Sequence, residues 1–377
     1  EEMPYATLMY SWCSRREAGT VVTNARTGRV RTLVLESGAQ KLNRWLDYRR
    51  NVRADFERAI AIKPDYVLAY RHLGWMFNEI RQYKAAIENF EKAYSLAPET
   101  PYLLGNIYSC RQYLCMWDKN EKLLDEINFK LGQGKRVVSP FICLSLPSTP
   151  ERLRNCARLS ASKLETLPWQ ERSASVADSR IRVGYFSPDF RNHPVTHLVA
   201  GLIEQHDHSR FEVHGFNIGP VVDDPWRQRM VKAFDHFHDV METSDDKVVA
   251  LAREAGLDIA VDLTGYTQFS RTSIFARRVA PIQVQYLGYV GSMGADFIDY
   301  TIADETVIPE NERQFFDEKI IYLPHTYQVN DNKKIISDKN FSRQELGLPD
   351  KGFVFCSHNN LYKITPDAFD IWMRLLG

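Results

Sequence analysis

The run at 181–198, IRVGYFSPDFRNHPVTHL, constrains the fold of this chain more than any other stretch. It opens with six residues of apolar character and strand length, Ile-Arg-Val-Gly-Tyr-Phe. A polar loop follows at 187–192, and Pro194 then begins a helix whose apolar stripe is Leu198, Val199, Leu202 and Ile203. Proline suits the first helical position because an N–H there would be unpaired anyway, and Asn192 or His193 can cap the turn. The strand–helix alternation continues. Strands are predicted at 182–186, 211–217, 259–263, 283–286, 300–303 and 319–322, with helices between them, 246–255 among these. That rhythm predicts a doubly wound, mostly parallel α/β sheet of the Rossmann-like class. A polar connector at 330–348 then leads to a strand at 353–357. A helix begun by Thr365 and Pro366, carrying Phe369, Trp372, Met373 and Leu376, would start a second α/β unit.

Open α/β sheets bind ligands beyond the carboxyl ends of their strands. Asp189 and His193 fall on such a strand-to-helix loop. The helix start adds N–H donors and a positive partial charge, which suits an anion such as a diphosphate and disfavours an imidazolium. His193 is therefore expected to be neutral and available as a base, and the sequence leaves open whether it or Asp189 takes the proton. His197, one turn further on, is expected to be structural. The run LGYVGSMG at 287–294 also follows a strand, and its glycines permit close approach of a ligand to the backbone. It matches neither the dinucleotide nor the P-loop glycine pattern, so dehydrogenase and kinase readings fall away. The pairs His206/His208 and His236/His238 have no further Cys or His close by in sequence. They read as polar turns, and no metal site is expected.

Ahead of the sheet the pattern is helical. Residues 67–99 carry Tyr70, Leu73, Gly74, Phe77, Ala86, Phe90, Ala93 and Pro98 at the spacings of a tetratricopeptide (TPR) repeat of about 34 residues. Gly74 and Ala86 are small where two helices would cross, and Phe77 and Phe90 would fill the groove. Phe56, Ala59 and Pro64 repeat the last positions one period earlier, although Ala39 and Gln40 stand where Leu-Gly would open that repeat. Residues 101–117 read as a further, degenerate helix. Helical stretches punctuated by Pro140, Pro147, Pro150 and Pro168 follow, and 169–179 is a polar linker into the sheet. Residues 1–50 are Arg-rich, lack a repeat and read as an irregular segment.

With 48 basic and 48 acidic residues in 377, the chain has no net charge to attract nucleic acid or a membrane surface. No window approaches the ~18 apolar residues of a membrane span. Six cysteines in no metal or C-x-x-C spacing fit reduced thiols, so a cytoplasmic protein is expected, nucleocytoplasmic in a eukaryote. No signal peptide is legible, in a chain that begins at Glu1 rather than Met.

The sequence DFRNHPVTHL at 189–198 resembles the first catalytic-lobe motif of the O-linked N-acetylglucosamine transferases, glycosyltransferase family 41. Three further blocks resemble that family in the same order: VDLTGYT at 261–267, APIQVQYLGYVGSMGADFIDY at 280–300 and FCSHNNLYKITP at 355–366. The resemblance implies a GT-B-type fold in which helical TPR repeats precede two Rossmann-like lobes. The corresponding segments here are 1–50 (irregular), 51–118 (repeats), 119–180 (helical linker), 181–330 (N-terminal catalytic lobe) and 331–377 (connector and start of the C-terminal lobe). It implies inverting transfer of N-acetylglucosamine from UDP-GlcNAc to Ser/Thr hydroxyls of proteins, without metal and with no cofactor beyond the donor itself. The acceptor polypeptide would lie in the TPR groove.

The residues that the resemblance assigns are these. Asp189 and His193 lie at the reacting centre, with Pro194 beside them. Leu287, Gly288 and Tyr289 border the transferred sugar. Lys363 neutralises the departing diphosphate, and Tyr362 and Asn360 edge the same pocket. This chain has Asn360 where the family has Gln, and Val290 where it has Pro. At Phe141 the animal enzymes carry a histidine, and they insert a long domain where this chain has its short 330–348 connector; both features look bacterial. The alternatives are a SPINDLY-like protein O-fucosyltransferase, against which Asn192-His193-Pro194 argues, and a non-catalytic TPR adaptor with a degenerate lobe. With only the first strand and helix of a second lobe, the 377-residue chain by itself is expected to be catalytically silent.

Overall fold

The computed structural model describes residues 52–169 and 180–376, together with three strands nearer the amino terminus. Packing divides the chain into two units, 1–55 and 56–377. In the first unit, β1 (Leu8–Cys13), β2 (Val21–Thr23) and β3 (Arg31–Ser37) form a sheet. The central β3 is parallel to β1 and antiparallel to β2. The expectation of an irregular segment at 1–50 is therefore corrected. The arginines obscured three short runs rich in β-branched, aromatic and other apolar residues, which favour strands.

The helices follow as α1 (Val52–Ile62), α2 (Val67–Glu79), α3 (Tyr83–Leu96), α4 (Leu103–Tyr113), α5 (Asn120–Gly132), α6 (Pro140–Cys143) and α7 (Pro150–Ala161). The α2–α3 hairpin has the predicted crossing. A Cβ on Gly74 would lie 2.6 Å from the Phe90 ring, so only glycine lets the two helices approach this closely. Phe77, Ala86, Phe90 and Ala93 are buried between them. Pro140 and Pro150 each open a helix, capped by Ser139 and Thr149. The missing Leu-Gly at 39–40 and the linker residues 170–179 lie outside the described residues.

The α/β part comprises β4 (Ile181–Ser187), α8 (Pro194–Glu204), β5 (Phe211–Asn217), α9 (Pro225–Ala233), β6 (His236–Asp239), α10 (Asp245–Ala255), β7 (Ile259–Asp262), α11 (Thr272–Ala276), β8 (Ile282–Gln285), β9 (Tyr300–Ala303) and β10 (Lys319–Tyr322). All seven strands are parallel, in the order β10-β9-β8-β7-β4-β5-β6. Successive side chains of β4 enter opposite layers, as the two-residue period of a strand requires. Tyr185 packs with Phe190, Val199, Ile203, Val213 and Met230. Phe186 stacks on Phe216 with ring centroids 4.4 Å apart and packs with Leu257, Ile274 and Phe275. A sheet buried on both faces needs continuous apolar strands, and Ile181–Ser187 supplies one.

Two strand assignments are corrected. His236–Asp239, read as a polar turn, is the edge strand β6, paired with β5 alone. Residues 353–357, read as a strand, make no ladder, and Phe353 and Phe355 are exposed. Apolar residues can favour a strand, but without a neighbouring strand their N–H and C=O groups have nothing to pair with. The helix begun at Thr365-Pro366 is present as α12 (Pro366–Leu376), with Thr365 Oγ1 accepting from the Ala368 N–H at 3.2 Å. Among the described residues, no helix is long and apolar enough to cross a membrane.

Candidate active site

The sheet order reverses direction between β4 and β7, so the loops after these two strands diverge and leave a crevice at their carboxyl ends. The loop after β4 carries Asp189 and His193. Its shape is held from within. The Asp189 N–H donates to Ser187 Oγ at 3.1 Å, and the Thr196 hydroxyl donates to the Asp189 carbonyl. The Asn192 N–H donates to Asp224 Oδ2 at 2.8 Å, and Asp224 also caps α9. His193 is the N-cap of α8, its Nδ1 accepting from the Val195 N–H at 3.3 Å, and Pro194 takes the first helical position. His197 is a support: its Nε2 lies 2.9 Å from Asn192 Oδ1, and its ring packs on Trp226 at 4.2 Å.

Asp189 is buried, with Arg191 Nη2 3.3 Å from Oδ1 and His193 Nδ1 3.4 Å from Oδ2. Burial pushes its carboxyl up to about 6, against the pull of Arg191. His193 is pushed down to about 4, first by burial and then by the positive charges of Arg191 and His197. Near neutral pH the pair is thus an ionised carboxylate beside a neutral imidazole. Since Nδ1 accepts the helix N–H, the imidazole proton belongs on Nε2, which can only donate. The arrangement pairs a carboxylate whose pKa lies close to the working pH with an oriented N–H donor, which is what removal of a proton from a hydroxyl requires.

The loop after β8 closes against the loop after β7. The Leu263 N–H bonds the Phe186 carbonyl at 3.0 Å, and a Cβ on Gly288 would stand 2.0 Å from the Leu263 carbonyl oxygen. Leu287 adopts φ +71°, a left-handed conformation that costs a branched residue energy and is kept only where its surroundings impose it. Tyr289 is buried edge-on to Tyr266, with centroids 5.4 Å apart. Val290 is exposed. Two buried carboxylates that sequence reasoning did not single out hold these loops. Asp262 Oδ1 accepts from the N–H groups of Thr264 at 2.8 Å and Gly265 at 3.0 Å. Glu318 accepts from Ser292 Oγ at 2.9 Å and from the Met293 N–H at 2.6 Å. Burial raises Asp262 to about 6 and Glu318 to about 7. Arg191 was missed as well. Its place two residues after Asp189 was the available signal.

The structure thus brings Asp189, His193 and Pro194 together on one loop, with Leu287, Gly288 and Tyr289 on a nearby one. It does not bring in the remaining candidates. Tyr362 packs on Tyr113 of α4 with centroids 5.2 Å apart, and Phe369 leans on Trp117 at 5.6 Å. Lys363 and Asn360 are exposed. Among the described residues, no hydrogen bond or ion pair joins Lys363 to Asp189 or His193. Phe141, at the position of the animal histidine, is partly exposed on α6.

The family model described as Glycosyl transferase family 41 matches residues 157–341 and 340–377. A second model, described as Protein of unknown function (DUF3047), matches residues 1–71. The chain is 31% identical over 287 residues to a protein named probable UDP-N-acetylglucosamine–peptide N-acetylglucosaminyltransferase SEC from Arabidopsis thaliana, covering 70% of this chain and 29% of that protein. It is 36% identical over 158 residues to the Caenorhabditis elegans UDP-N-acetylglucosamine–peptide N-acetylglucosaminyltransferase, covering 42% and 14%. It is 32% identical over 208 residues to a rice protein named SPINDLY, covering 53% and 22%. The chain therefore spans less than a third of the length of each of these relatives. A solved structure of a mutant Thermobaculum terrenum O-GlcNAc transferase superposes with a TM-score of 0.63 at 23% identity, covering 86% of this chain and 62% of that one, which establishes the shared fold.

Proposed function

Since this chain belongs to glycosyl transferase family 41, we propose that it forms the acceptor-activating half of a glycosyltransferase that moves N-acetylglucosamine from UDP-GlcNAc to Ser/Thr hydroxyls of proteins. The observation that carries the reading is the Asp189–His193 pair at the switch point, one ionised and one neutral near pH 7. The acceptor hydroxyl gives its proton to the Asp189 carboxylate while the His193 Nε2–H donates to a neighbouring substrate oxygen and orients it. The hydroxyl oxygen attacks the anomeric carbon from the side opposite the diphosphate. The C–O bond to the diphosphate breaks, UDP leaves with the electron pair, and the anomeric configuration inverts. Gly288 lets the loop after β8 close against the Leu263 carbonyl and so holds the wall that would border the sugar. Lys363 supplies a compact positive charge for the leaving diphosphate once the segment that carries it faces the donor. The α2–α3 hairpin contributes to a helical groove suited to an extended polypeptide.

The test is transfer from UDP-GlcNAc to a Ser/Thr-containing protein by the gene product that contains this chain, read by mass spectrometry. The proposal expects an added N-acetylhexosamine in the wild type and its loss in Asp189→Asn. Transfer of fucose from GDP-fucose in place of N-acetylhexosamine would overturn the donor assignment. Undiminished transfer in Asp189→Asn would overturn the mechanism.

A further inference from the structure

Glu212 and His214 are two residues apart on β5, so their side chains emerge on one face of the strand. His236 of β6 is the register partner of His214. An i, i+2 pair plus a cross-strand neighbour aims three side chains at one point without any loop. Glu212 Oε1 lies 3.0 Å from His214 Nε2 and 3.3 Å from His236 Nε2. The three donor atoms all fall within 4.8 Å of one another. Four-coordinate zinc with bonds of about 2.0–2.1 Å places its ligand atoms about 3.3 Å apart, which the two carboxylate–imidazole separations match. We propose that Glu212, His214 and His236 form a binding site for a divalent transition-metal ion, Zn2+ being the representative, remote from the transfer site.

The surroundings favour binding. The other carboxylate oxygen, Oε2, accepts from Arg180 Nη2 at 2.6 Å, which orients Glu212 and leaves Oε1 as a single ligand. A partner of this kind on the outer oxygen is what metal-binding carboxylates commonly have. His236 is exposed, with 53% of its side-chain surface open to solvent, which provides an entry path and leaves a coordination position for water. Two histidines and one carboxylate with an open position make a donor set for zinc or another first-row dication, whereas magnesium and calcium prefer oxygen alone.

The site lies away from the chemistry. His214 precedes Asn217 by three residues, or about 10 Å of strand, and Asn217 is the register partner of Ser187, where the Asp189 loop begins. Its effect would be to fasten the edge strand β6 to β5. An ion that binds only the folded form stabilises it by mass action.

The experiment uses the full 377-residue chain with Cys356→Ser, which removes the thiol that is exposed among the described residues as a competing ligand. Zn2+ binding is followed by calorimetry and by Tm, and Co2+ is used as the spectroscopic probe. We expect one site per chain, a visible Co2+ spectrum of low coordination number, and a Tm rise of about 3–4 °C at a hundredfold excess over Kd. His236→Ala, at an exposed position, should keep the metal-free Tm and weaken Kd at least about 100-fold. His236→Asn serves as a second variant. If Zn2+ gives no Tm rise and no saturable isotherm, or if both variants bind as tightly as the wild type, the three side chains form only a hydrogen-bonded cluster and the proposal is wrong.

Discussion

Replacing Asp189 with Asn should stabilise the fold at neutral pH while abolishing transfer. In the folded chain this carboxyl is pushed from its ordinary 3.8 up to about 6, chiefly by burial. Its charged form is therefore disfavoured by folding. Between these two values the folded state binds more protons than the unfolded state, so stability falls as pH rises from about 4 to 6 and levels off above. The shift corresponds to about 3 kcal/mol. Solvent screening subtracts little, because only 9% of the Asp189 side chain is exposed. The pull of Arg191 on the ionised form is already contained in that shift, so about 3 kcal/mol remains in favour of Asn. The amide keeps the carboxylate's size, and the Thr196 bond is to the backbone carbonyl, so packing is preserved. The assay is denaturant unfolding followed by circular dichroism, wild type against Asp189→Asn, at pH 4, 5.5 and 7. Asp262 and Glu318 are also raised, but they are present in both proteins and cancel in the difference. The expected advantage of Asn is small at pH 4 and about 3 kcal/mol at pH 7. An advantage independent of pH, or an Asp189→Asn protein less stable than wild type at pH 7, would refute the assignment of a buried, reluctantly ionised carboxylate.

His193→Asn should keep the α8 cap, since Asn is a strong N-cap residue, yet lower transfer by about 100-fold; His193→Ala should lose transfer and also about 1 kcal/mol of stability. Thermal melts and single-turnover transfer separate the two effects, and equal activity in the His193→Asn and wild-type proteins would exclude the imidazole. Gly288→Ala should destabilise the α/β part by about 3 kcal/mol or more, because its Cβ would meet the Leu263 carbonyl at 2.0 Å and backbone must move, as a thermal melt would show. Arg229 bonds Asp331 and Glu204, so Arg229→Met should free the chain after 331 and speed limited proteolysis between 332 and 352 with little change in Tm.

The α/β part was legible because its signals are local and agree with one another. The apolar length of 181–187, the proline at 194 and the recurrence of short β-branched runs each point to the same parallel sheet. Strands such as Phe211–Asn217 and Tyr300–Ala303 fall where the sequence places them. The misses share a cause in pairing. His-Phe-His-Asp is polar because β6 is an edge strand with one neighbour, while 353–357 is apolar but has no strand to bond. The position of Asp189 and His193 was legible from the strand–loop–helix order, and the cap was narrowed to Asn192 or His193, of which the structure uses His193. Their proton states depend on how deeply 189 is buried and on Arg191 reaching back to it, which no spacing reveals. The convergence of Glu212, His214 and His236 was hidden for the same reason: residues 22 apart become neighbours only through the β5–β6 register.

The central claim is that the Asp189 carboxylate takes the acceptor's proton. The most direct measurement is the pH dependence of single-turnover transfer from UDP-GlcNAc to a Ser/Thr acceptor, by wild-type and Asp189→Asn forms of the gene product that contains this chain. The account predicts a wild-type rate that rises through an apparent pKa of about 6, where the buried carboxyl ionises, and levels off above. For the Asp189→Asn form it predicts a rate at least about 100-fold lower, with that inflection gone. The same inflection and rate in both proteins would contradict it.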